Sequence, residues 1–441
     1  MDTRSYWNII QNNECPVEGS NSLLPNELKE YIISLTENKV SDLCLINKYF
    51  NYNCKIIRIT DNYRYPKIKD ENLKSLINIT AIELYNNTII TNNGIKELTN
   101  LKKLDLRNNS IITDQGIEGL TNLTYLDLYR NKVITNKGIK NLINLTFIDL
   151  SNNIKITNKG IRYLKNLISI NLAWNNWDGI TNDGIKLLTN LTFLDLSCNI
   201  KITDEGIKDL KNIRYLDLRY NKMITNGGLK NLVNLVSINL FNNHTIENIA
   251  LKNLANLTTI NLNENNTIED IGIKDLTNLT SLELCDNNKI TNEGIEGLIN
   301  LTYLNLCDND KISNDGIKGL SNLTSLILYD NDKITDEGIK ELNNLLSLEL
   351  YDNDKITDSG IINLTNLTFL DLSLNKMITD YGIEKLTNLT YLNLSYNNKI
   401  TIKGLGSLPN LNTINLCCNT VIKDKDVKKL TNIKTFIYNH K

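Results

Sequence analysis

The sequence predicts an α/β solenoid of about 17 units, most of them 22 residues long. The stretch Leu301–Asn322 is followed by four near copies of itself, and more varied copies reach back to residue 79. Within each copy, apolar residues recur at fixed places, and an asparagine stands at the end of every unit. A repeat of this length folds by stacking each unit on the one before, so we expect function on an extended surface. The units begin at residues 54, 79, 101, 123, 145, 167, 191, 213, 235, 257, 279, 301, 323, 345, 367, 389 and 411.

The first half of each unit predicts a short strand. When each unit is numbered from 1 to 22, positions 1, 4 and 6 are apolar and enclose a strand of about three to five residues. Position 9 is asparagine in every unit, from Asn62 to Asn419. A buried side-chain amide there can pair with backbone groups that no regular ladder satisfies, so we predict an asparagine ladder along the solenoid.

The second half of each unit predicts a short helix. Position 13 is usually Thr or Ser followed by Asp or Asn, which is an N-cap signal. Position 16 is glycine in most units, which predicts that a side chain there would strike the neighbouring unit. Positions 12, 17 and 20 are apolar and are expected to point into one continuous core. Position 22 is asparagine, which tolerates the left-handed conformation and is predicted to end the helix.

The pattern LxxLxLxxN that opens each unit resembles a leucine-rich repeat. The following pattern, I-[ST]-[ND]-x-G-I-x-x-L, is similar to the cysteine-containing type that is common in F-box proteins. The resemblance implies a horseshoe with parallel strands along its concave side and helices along its convex side. At about 4.8 Å per strand, the concave face would run for roughly 80 Å.

The chain divides into three predicted parts. Residues 1–21 are polar and aperiodic, which predicts a flexible tail. Residues 22–53 carry two apolar stripes at helical spacing, which predict two short amphipathic helices. Residues 54–441 form the solenoid, whose last strand is predicted from Ile433 to Tyr438. Little sequence remains to cover that strand, so it either frays or pairs with another chain.

The helical segment at 22–53 resembles an F-box, with an LPxEL start and a second helix that ends in N-K-x-F. The resemblance implies docking to a Skp-type adaptor of a cullin ubiquitin ligase. The chain would then be a substrate-recruiting F-box subunit, similar to those encoded by giant DNA viruses. Its abundant Asn, Ile and Lys have A/T-rich codons, as in some of those genomes. The adaptor-binding residues implied are Leu24, Pro25, Leu28, Ile32, Leu35, Leu43, Ile46 and Phe50.

A second interpretation of this segment stays open. A solenoid end exposes apolar core and needs a cover, and two amphipathic helices would provide one. The chain would then be a free-standing leucine-rich-repeat scaffold for protein–protein interaction, in which the helices only cap the first unit. Binding to the adaptor distinguishes the two interpretations.

Composition argues against several classes of function. The net charge of −2 provides no basic field for nucleic acid, and no apolar run reaches the length of a membrane span. The start lacks a signal-peptide pattern, and the eight cysteines show no zinc spacing. These features predict free thiols in an intracellular compartment, cytoplasm or nucleus, of a host cell if the origin is viral. The many N-L-T triplets are interpreted as the junction between units rather than as glycosylation sites.

Little in the sequence predicts chemistry on this chain. It has two histidines and no metalloprotease, phosphate-loop or serine-elbow motif, so we predict no enzymatic activity, no cofactor and no metal. Cys285 and Cys307 occupy the same position of adjacent units and are interpreted as partly buried free thiols. Paired aspartates from Asp308 onward could bind calcium, but lysines follow them at once, which favours a self-paired, solvated rim.

The concave face carries the predicted target-binding site. Aromatic residues at position 3, acids at position 5, and aromatic or arginine residues at positions 7 and 8 cluster around an inserted loop at 176–179. Exposed aromatic and arginine side chains over an acidic floor are typical of a hot spot for a protein target with basic character. Simple inheritance within the repeat explains the same residues equally well. The predicted residues are Tyr125, Asp127, Phe147, Asp149, Trp174, Phe193, Asp195, Tyr215, Asp217, Arg219 and Phe241.

Overall fold

The structure is a computed structural model. The residues that it describes are 56–58, 69–74, 76–175, 179–423, 426, 430 and 432–437. The predicted tail, the F-box-like segment and residues 176–178 of the inserted loop lie outside the described residues, so the interpretations of these parts stay predictions.

One parallel sheet runs through the described part of the chain. Each strand pairs with the next strand in sequence, and the register steps by one unit, so that Tyr303 lies opposite Ser325. The sheet stays open because pairing continues in chain order from the first strand to the last. The strands are β1 Ile56–Arg58, β2 Ala81–Glu83, β3 Lys103–Asp105, β4 Tyr125–Asp127, β5 Phe147–Asp149, β6 Ser169–Asn171, β7 Phe193–Asp195, β8 Tyr215–Asp217, β9 Ser237–Asn239, β10 Thr259–Asn261, β11 Ser281–Glu283, β12 Tyr303–Asn305, β13 Ser325–Ile327, β14 Ser347–Glu349, β15 Phe369–Asp371, β16 Tyr391–Asn393, β17 Thr413–Asn415 and β18 Thr435–Ile437.

A short helix follows each strand from β1 to β16. The predicted N-cap position is confirmed by its extended backbone, for example at Ser313, where φ is −107° and ψ is −175°. The helices described are α1 Asp70–Lys74, α2 Asn92–Ile95, α3 Asp114–Ile117, α4 Asn136–Ile139, α5 Asn158–Ile161, α6 Asn182–Ile185, α7 Asp204–Ile207, α8 Asn226–Leu229, α9 Asn248–Leu251, α10 Asp270–Ile273, α11 Asn292–Ile295, α12 Asn314–Ile317, α13 Asp336–Ile339, α14 Asp358–Ile361, α15 Asp380–Ile383 and α16 Ile402–Leu405.

A continuous apolar core lies between the strands and the helices, as predicted. In the unit that begins at residue 301, Leu304 and Leu306 from the strand side and Ile312, Ile317 and Leu320 from the helix side are fully buried. The same positions are buried in the neighbouring units, and they form one cluster along the solenoid. Burying one such side chain contributes about 1.5–3 kcal/mol, so stability is distributed along the whole chain of units.

The asparagine ladder at position 9 is confirmed. The Nδ2 of Asn309 donates to the carbonyl oxygens of Leu284 and Asn287, at 3.2 and 2.8 Å. Its Oδ1 accepts the backbone N–H groups of Lys311 and Ile312, at 3.1 and 3.0 Å. Such a rung satisfies the turn of its own unit and joins that turn to the preceding unit. Asn175, next to the inserted loop, donates to the preceding unit, but its Oδ1 has no partner among the described residues.

A second ladder, not predicted from the sequence, joins position 14 of one unit to position 13 of the next. The Oδ1 of Asn292 accepts the backbone N–H of Ser313 at 2.9 Å, and its Nδ2 donates to the Ser313 hydroxyl at 2.9 Å. Gly316 packs on this contact, because a Cβ added there would lie 2.6 Å from Asn292 Oδ1. The close approach predicted at position 16 is therefore confirmed, and the group approached is a polar side chain of the preceding unit.

The conformation predicted for the asparagine at position 22 is wrong. In the described units the left-handed backbone falls at position 8, as at Asp308 (φ 49°), because the chain turns sharply just after the strand. The helix ends on a right-handed residue, Lys318 (φ −57°), and needs no left-handed one. Asn322 instead donates its Nδ2 to the carbonyl of Ile299 at 2.9 Å, which is one rung of a third ladder. This bond gives the N-L-T triplet a structural role, in agreement with its interpretation as repeat chemistry.

The last strand is poorly covered, as the sequence predicts. Strand β18 is shorter than expected, and its three side chains are exposed, with Phe436 at 40%. It pairs with β17 in parallel and forms the edge of the described sheet.

Candidate protein-binding surface

Aromatic side chains at position 3 lie side by side along the sheet. The rings of Tyr125 and Phe147 stack, with centroids 4.2 Å apart and an interplanar angle of 8°. Phe147 and Phe193 are only 8% and 9% exposed, so the expectation of exposed rings is wrong for these two residues. Tyr125 and Tyr215 are half-buried. The reason is the strand spacing of about 4.8 Å, at which large side chains on neighbouring strands cover one another.

Position 5 lies two residues after position 3 and on the same face of the sheet. In several neighbouring units this position is aspartate, so the aspartates form a column. Asp195 is 2% exposed and accepts the backbone N–H of Ser197 at 2.8 Å. Asn171, at the same position of the preceding unit, accepts the N–H of Ala173 at 2.9 Å. The turn therefore requires an oxygen acceptor but no charge. We refer to the following residues as the acid column: Asp105, Asp127, Asp149, Asp195 and Asp217.

Two arginines offset part of this charge. The Nη2 of Arg107 lies 2.5 Å from Oδ2 of Asp105, and its Nε lies 3.4 Å from Oδ2 of Asp127. The Nε of Arg219 lies 2.9 Å from Oδ2 of Asp217. Five carboxyl groups thus share two described arginine partners, and the acid column keeps an excess of negative charge.

Burial raises the pKa values of four aspartates of the acid column, Asp127, Asp149, Asp195 and Asp217, so these hold their protons more tightly than free aspartates do. Burial raises the pKa of Asp149 to about 6 and that of Asp217 to about 7, and the nearby carboxylate of Asp195 adds to both shifts. Burial also raises the pKa of Asp127 well above its usual value, with Asp149 as the next cause. A cation brought to this face by a partner would favour the ionised carboxylates and release those protons.

Three exposed aromatic residues lie at the rim, at the left-handed position 8. Trp174 is 58% exposed, Tyr220 is 46% exposed and Tyr396 is 56% exposed, with φ values of 58°, 54° and 55°. Half of the described units place Asn or Asp at this position, as at Asn152 and Asn242. A left-handed backbone costs about 1–2 kcal/mol for other L-residues, so these aromatics carry a strain that Asn largely avoids. Tyr396 shares this strain, but only Trp174 and Tyr220 lie in units that carry or adjoin the acid column.

The rim aromatics have neighbours among the predicted binding residues. The rings of Tyr220 and Phe241 meet edge to face, with centroids 5.1 Å apart. The Arg219 side chain stands next to Tyr220 in sequence and is 29% exposed. We refer to Trp174, Arg219, Tyr220 and Phe241 as the rim cluster. Tyr220 is one of the aromatic residues at positions 7 and 8 that the sequence already places in this cluster.

Further along the rim, the aspartates at position 10 are paired with lysines. The Nζ of Lys355 lies 3.4 Å from a carboxylate oxygen of Asp332 and 3.0 Å from one of Asp354. The Nζ of Lys311 lies 3.3 Å from Asp310. These pairs support the self-paired, solvated rim over a calcium site.

The predicted adaptor-binding residues, from Leu24 to Phe50, lie outside the described part of the chain and stay a prediction. Within the described ranges, no helix has the length and apolar character needed to cross a membrane.

Two family models match the repeats. The model described as leucine rich repeats (2 copies) matches residues 99–142. The second model, described as leucine rich repeat, matches residues 187–211, 209–233, 275–299, 297–321, 319–342, 341–364, 363–386 and 385–408. Together the two models span about half of the chain.

Solved structures share the fold. An internalin (inlF) from Listeria monocytogenes is 26% identical, with a TM-score of 0.52, and the match covers 70% of this chain and 91% of that one. A leucine-rich-repeat protein from Leptospira interrogans is 24% identical, with a TM-score of 0.50 and coverage of 89% and 98%. A chain of the mouse RP105/MD-1 complex is 21% identical, with a TM-score of 0.56 and coverage of 81% and 71%. A sequence search of curated proteins finds no match. The repeat sequence, the open parallel sheet and these matches show that the chain belongs to the leucine-rich-repeat family.

Proposed function

We propose that this chain binds a protein target on its concave face, at the rim cluster and the acid column, and recruits that target to a ubiquitin ligase. Leucine-rich-repeat solenoids are typically binding scaffolds without enzymatic activity, and their extended faces suit protein partners. One observation carries the proposal: Trp174 and Tyr220 are exposed aromatics held in a left-handed backbone, and, unlike Tyr396, they lie in the units that carry or adjoin the acid column.

The chemistry of the acid column supports a target with basic character. Its five carboxyl groups exceed the two arginines that pair with them, and burial and neighbouring carboxylates raise the pKa values of Asp127, Asp149 and Asp217. A lysine or arginine of the target would relieve this repulsion, and aromatic rings nearby would add cation–π attraction. Aromatic and arginine residues also dominate binding energy at protein interfaces.

The test of target binding replaces the strained aromatics by the residue that other units use. Trp174→Asn/Tyr220→Asn is compared with Leu374→Asn/Tyr396→Asn, which changes position 8 in two units far along the chain, where φ is also positive. Proximity labelling in cells should lose its most enriched proteins with the first variant and keep them with the control. Identical labelled sets for wild type and the first variant would refute the rim cluster as the binding site.

Recruitment to a ligase rests on the F-box resemblance of residues 22–53. The helices predicted there would dock a Skp-type adaptor through their apolar face, which requires an intracellular location, in the cytoplasm or nucleus. Co-purification with the adaptor is compared for wild type and the triple variant Leu24→Ala/Pro25→Ala/Leu28→Ala. Wild type should retain the adaptor and the triple variant should lose it; failure of both to bind would overturn recruitment but not target binding.

The alternative is a free-standing scaffold whose N-terminal helices only cap the solenoid. The partial exposure of apolar core in the first described unit supports this alternative. Leu76 is only partly buried there, whereas Leu320, at the same position of a unit inside the solenoid, is fully buried. A chain that captures the target without the adaptor would support this alternative.

A further inference from the structure

Two cysteines and an aspartate meet just beyond strands β11 and β12. The Sγ atoms of Cys285 and Cys307 and a carboxylate oxygen of Asp308 all lie within 4.8 Å of one another. The Sγ of Cys307 lies 3.5 Å from Oδ2 of Asp308. Both thiols are half-buried and the carboxylate is exposed, so the group is open to solvent on one side.

The repeat holds the backbone of this group in place. Cys285 and Cys307 occupy position 7 of consecutive units, so the stacking of units brings their side chains together. The N–H of Cys307 donates to Oδ1 of Asn305 at 3.0 Å, and the N–H of Asp308 donates to the carbonyl of Tyr329 at 2.9 Å. The N–H of Cys285 donates to Oδ1 of Asn263 at 2.6 Å. The three side chains therefore project from fixed backbone positions.

The surroundings of the two thiols are negatively charged. The charged residues acting on Cys285 are the carboxylates of Asp308, Asp286 and Glu283. A metal cation bound by the two sulfur atoms would offset this negative charge.

We propose that Cys285, Cys307 and Asp308 form a zinc site. Zinc prefers a small number of sulfur, nitrogen and oxygen ligands, and three protein ligands leave a fourth position for water. Thiolate ligands disfavour calcium and magnesium, which take oxygen ligands. On binding, the two thiols release two protons to solvent, and the Zn²⁺ ion accepts two Zn–S bonds and one Zn–O bond. Cys285 and Cys307 are partly buried free thiols, as interpreted from the sequence, and the proposal adds a ligand role to them.

The site is independent of the proposed target-binding surface. It lies in the units that begin at residues 279 and 301, whereas the rim cluster lies between residues 174 and 241. Loss of the metal and loss of the target can therefore be measured separately.

The test uses the reduced full chain, stripped of metal by a chelator and titrated with Co²⁺ as a spectroscopic probe. We expect one Co²⁺ per chain, with a thiolate-to-cobalt charge-transfer band that excess Zn²⁺ abolishes. Cys285→Ser and Cys307→Ser should each remove the band. Asp308→Asn should keep a weaker site, with affinity lower by about tenfold or more.

Two controls separate loss of the metal site from misfolding and from the loss of an unrelated cysteine. Serine occupies position 7 in other units, for example Ser151 and Ser373, so Cys→Ser is compatible with the fold. Cys417→Ser, at position 7 of a unit whose preceding neighbour has no cysteine there, should leave the band unchanged. The proposal is overturned if no thiolate band forms, if the band survives loss of both Cys285 and Cys307, or if those two thiols form a disulfide and bind no Co²⁺ after reduction.

Discussion

Replacing Asp149 by asparagine removes one charge from the acid column but keeps the shape of the residue. The Oδ1 of Asp149 accepts the N–H of Ser151 at 2.7 Å, and the asparagine of the next unit, Asn171, makes the same bond to its own turn. The fold therefore already accepts asparagine at this position, and the substitution isolates the effect of the charge.

The magnitude follows from the pKa of Asp149. Burial raises that pKa from 3.8 to about 6, which corresponds to roughly 3 kcal/mol at about 1.4 kcal/mol per unit. Because the folded state holds the proton more tightly than the unfolded state, this contribution to stability is complete below pH 3.8 and is lost as pH rises through about 6. Asparagine does not titrate, and it gives up about 1 kcal/mol of hydrogen bonding to Ser151 and Asn171. Asp149→Asn should thus stabilise the fold by about 2 kcal/mol at pH 8 and destabilise it by about 1 kcal/mol at pH 4.

The assay is urea unfolding followed by circular dichroism at both pH values. Asp310→Asn, at an exposed aspartate paired with Lys311, is the matched control and should show little change at either pH. Equal destabilisation by Asp149→Asn at pH 4 and pH 8 would refute the argument that its charge is strained in the folded state.

The remaining predictions concern the ladder, the glycine contact and target binding. Asn309→Leu should lower the free energy of unfolding by about 1–3 kcal/mol, because it leaves buried backbone groups unpaired. Asn288→Leu, at an exposed position, should change the free energy of unfolding little, and urea unfolding of both variants tests this. Gly316→Ala should lower the free energy of unfolding by about 1–3 kcal/mol, because the added methyl group clashes with the preceding unit. At Gly319 an added Cβ would meet no atom within 4 Å, so Gly319→Ala should be neutral or slightly stabilising in the same assay. Target binding should weaken as pH falls from 8 to 6, because Asp217, with a pKa of about 7, and Asp149, with a pKa of about 6, take up protons over that range. Affinity measured at both pH values would show no such change if these two carboxyl groups have no part in binding.

Much of the fold follows directly from residue spacing. Each unit repeats the same surroundings for its apolar positions, its asparagine at position 9 and its N-cap at position 13. The pattern of one unit therefore predicts the role of these positions in all the others. Position 22 was misassigned because asparagine suits both a left-handed backbone and a side-chain ladder, and the spacing does not distinguish these roles. The ladder from position 14 was missed because it joins residues of different units, such as Asn292 and Ser313, whose contact depends on how the units stack.

The candidate site was predicted less completely. Aromatic residues at position 3 looked exposed from the alternation of the strand, but the close spacing of strands lets Phe147 and Phe193 become buried. The strain at Trp174 and Tyr220 comes from the backbone at position 8, which the repeat pattern did not associate with a left-handed turn. The excess charge of the acid column was visible in the sequence, whereas its burial was not.

The most direct test of binding at the rim cluster measures stability and target capture on the same protein. Trp174→Asn/Tyr220→Asn should raise the free energy of unfolding by about 2–4 kcal/mol, at about 1–2 kcal/mol for each residue, because asparagine relieves the left-handed strain. The same variant should abolish capture of the target. Leu374→Asn/Tyr396→Asn should raise stability similarly and leave capture intact. A first variant that is more stable and still captures the target would contradict a binding role for these aromatics, as would equal loss of capture in the control.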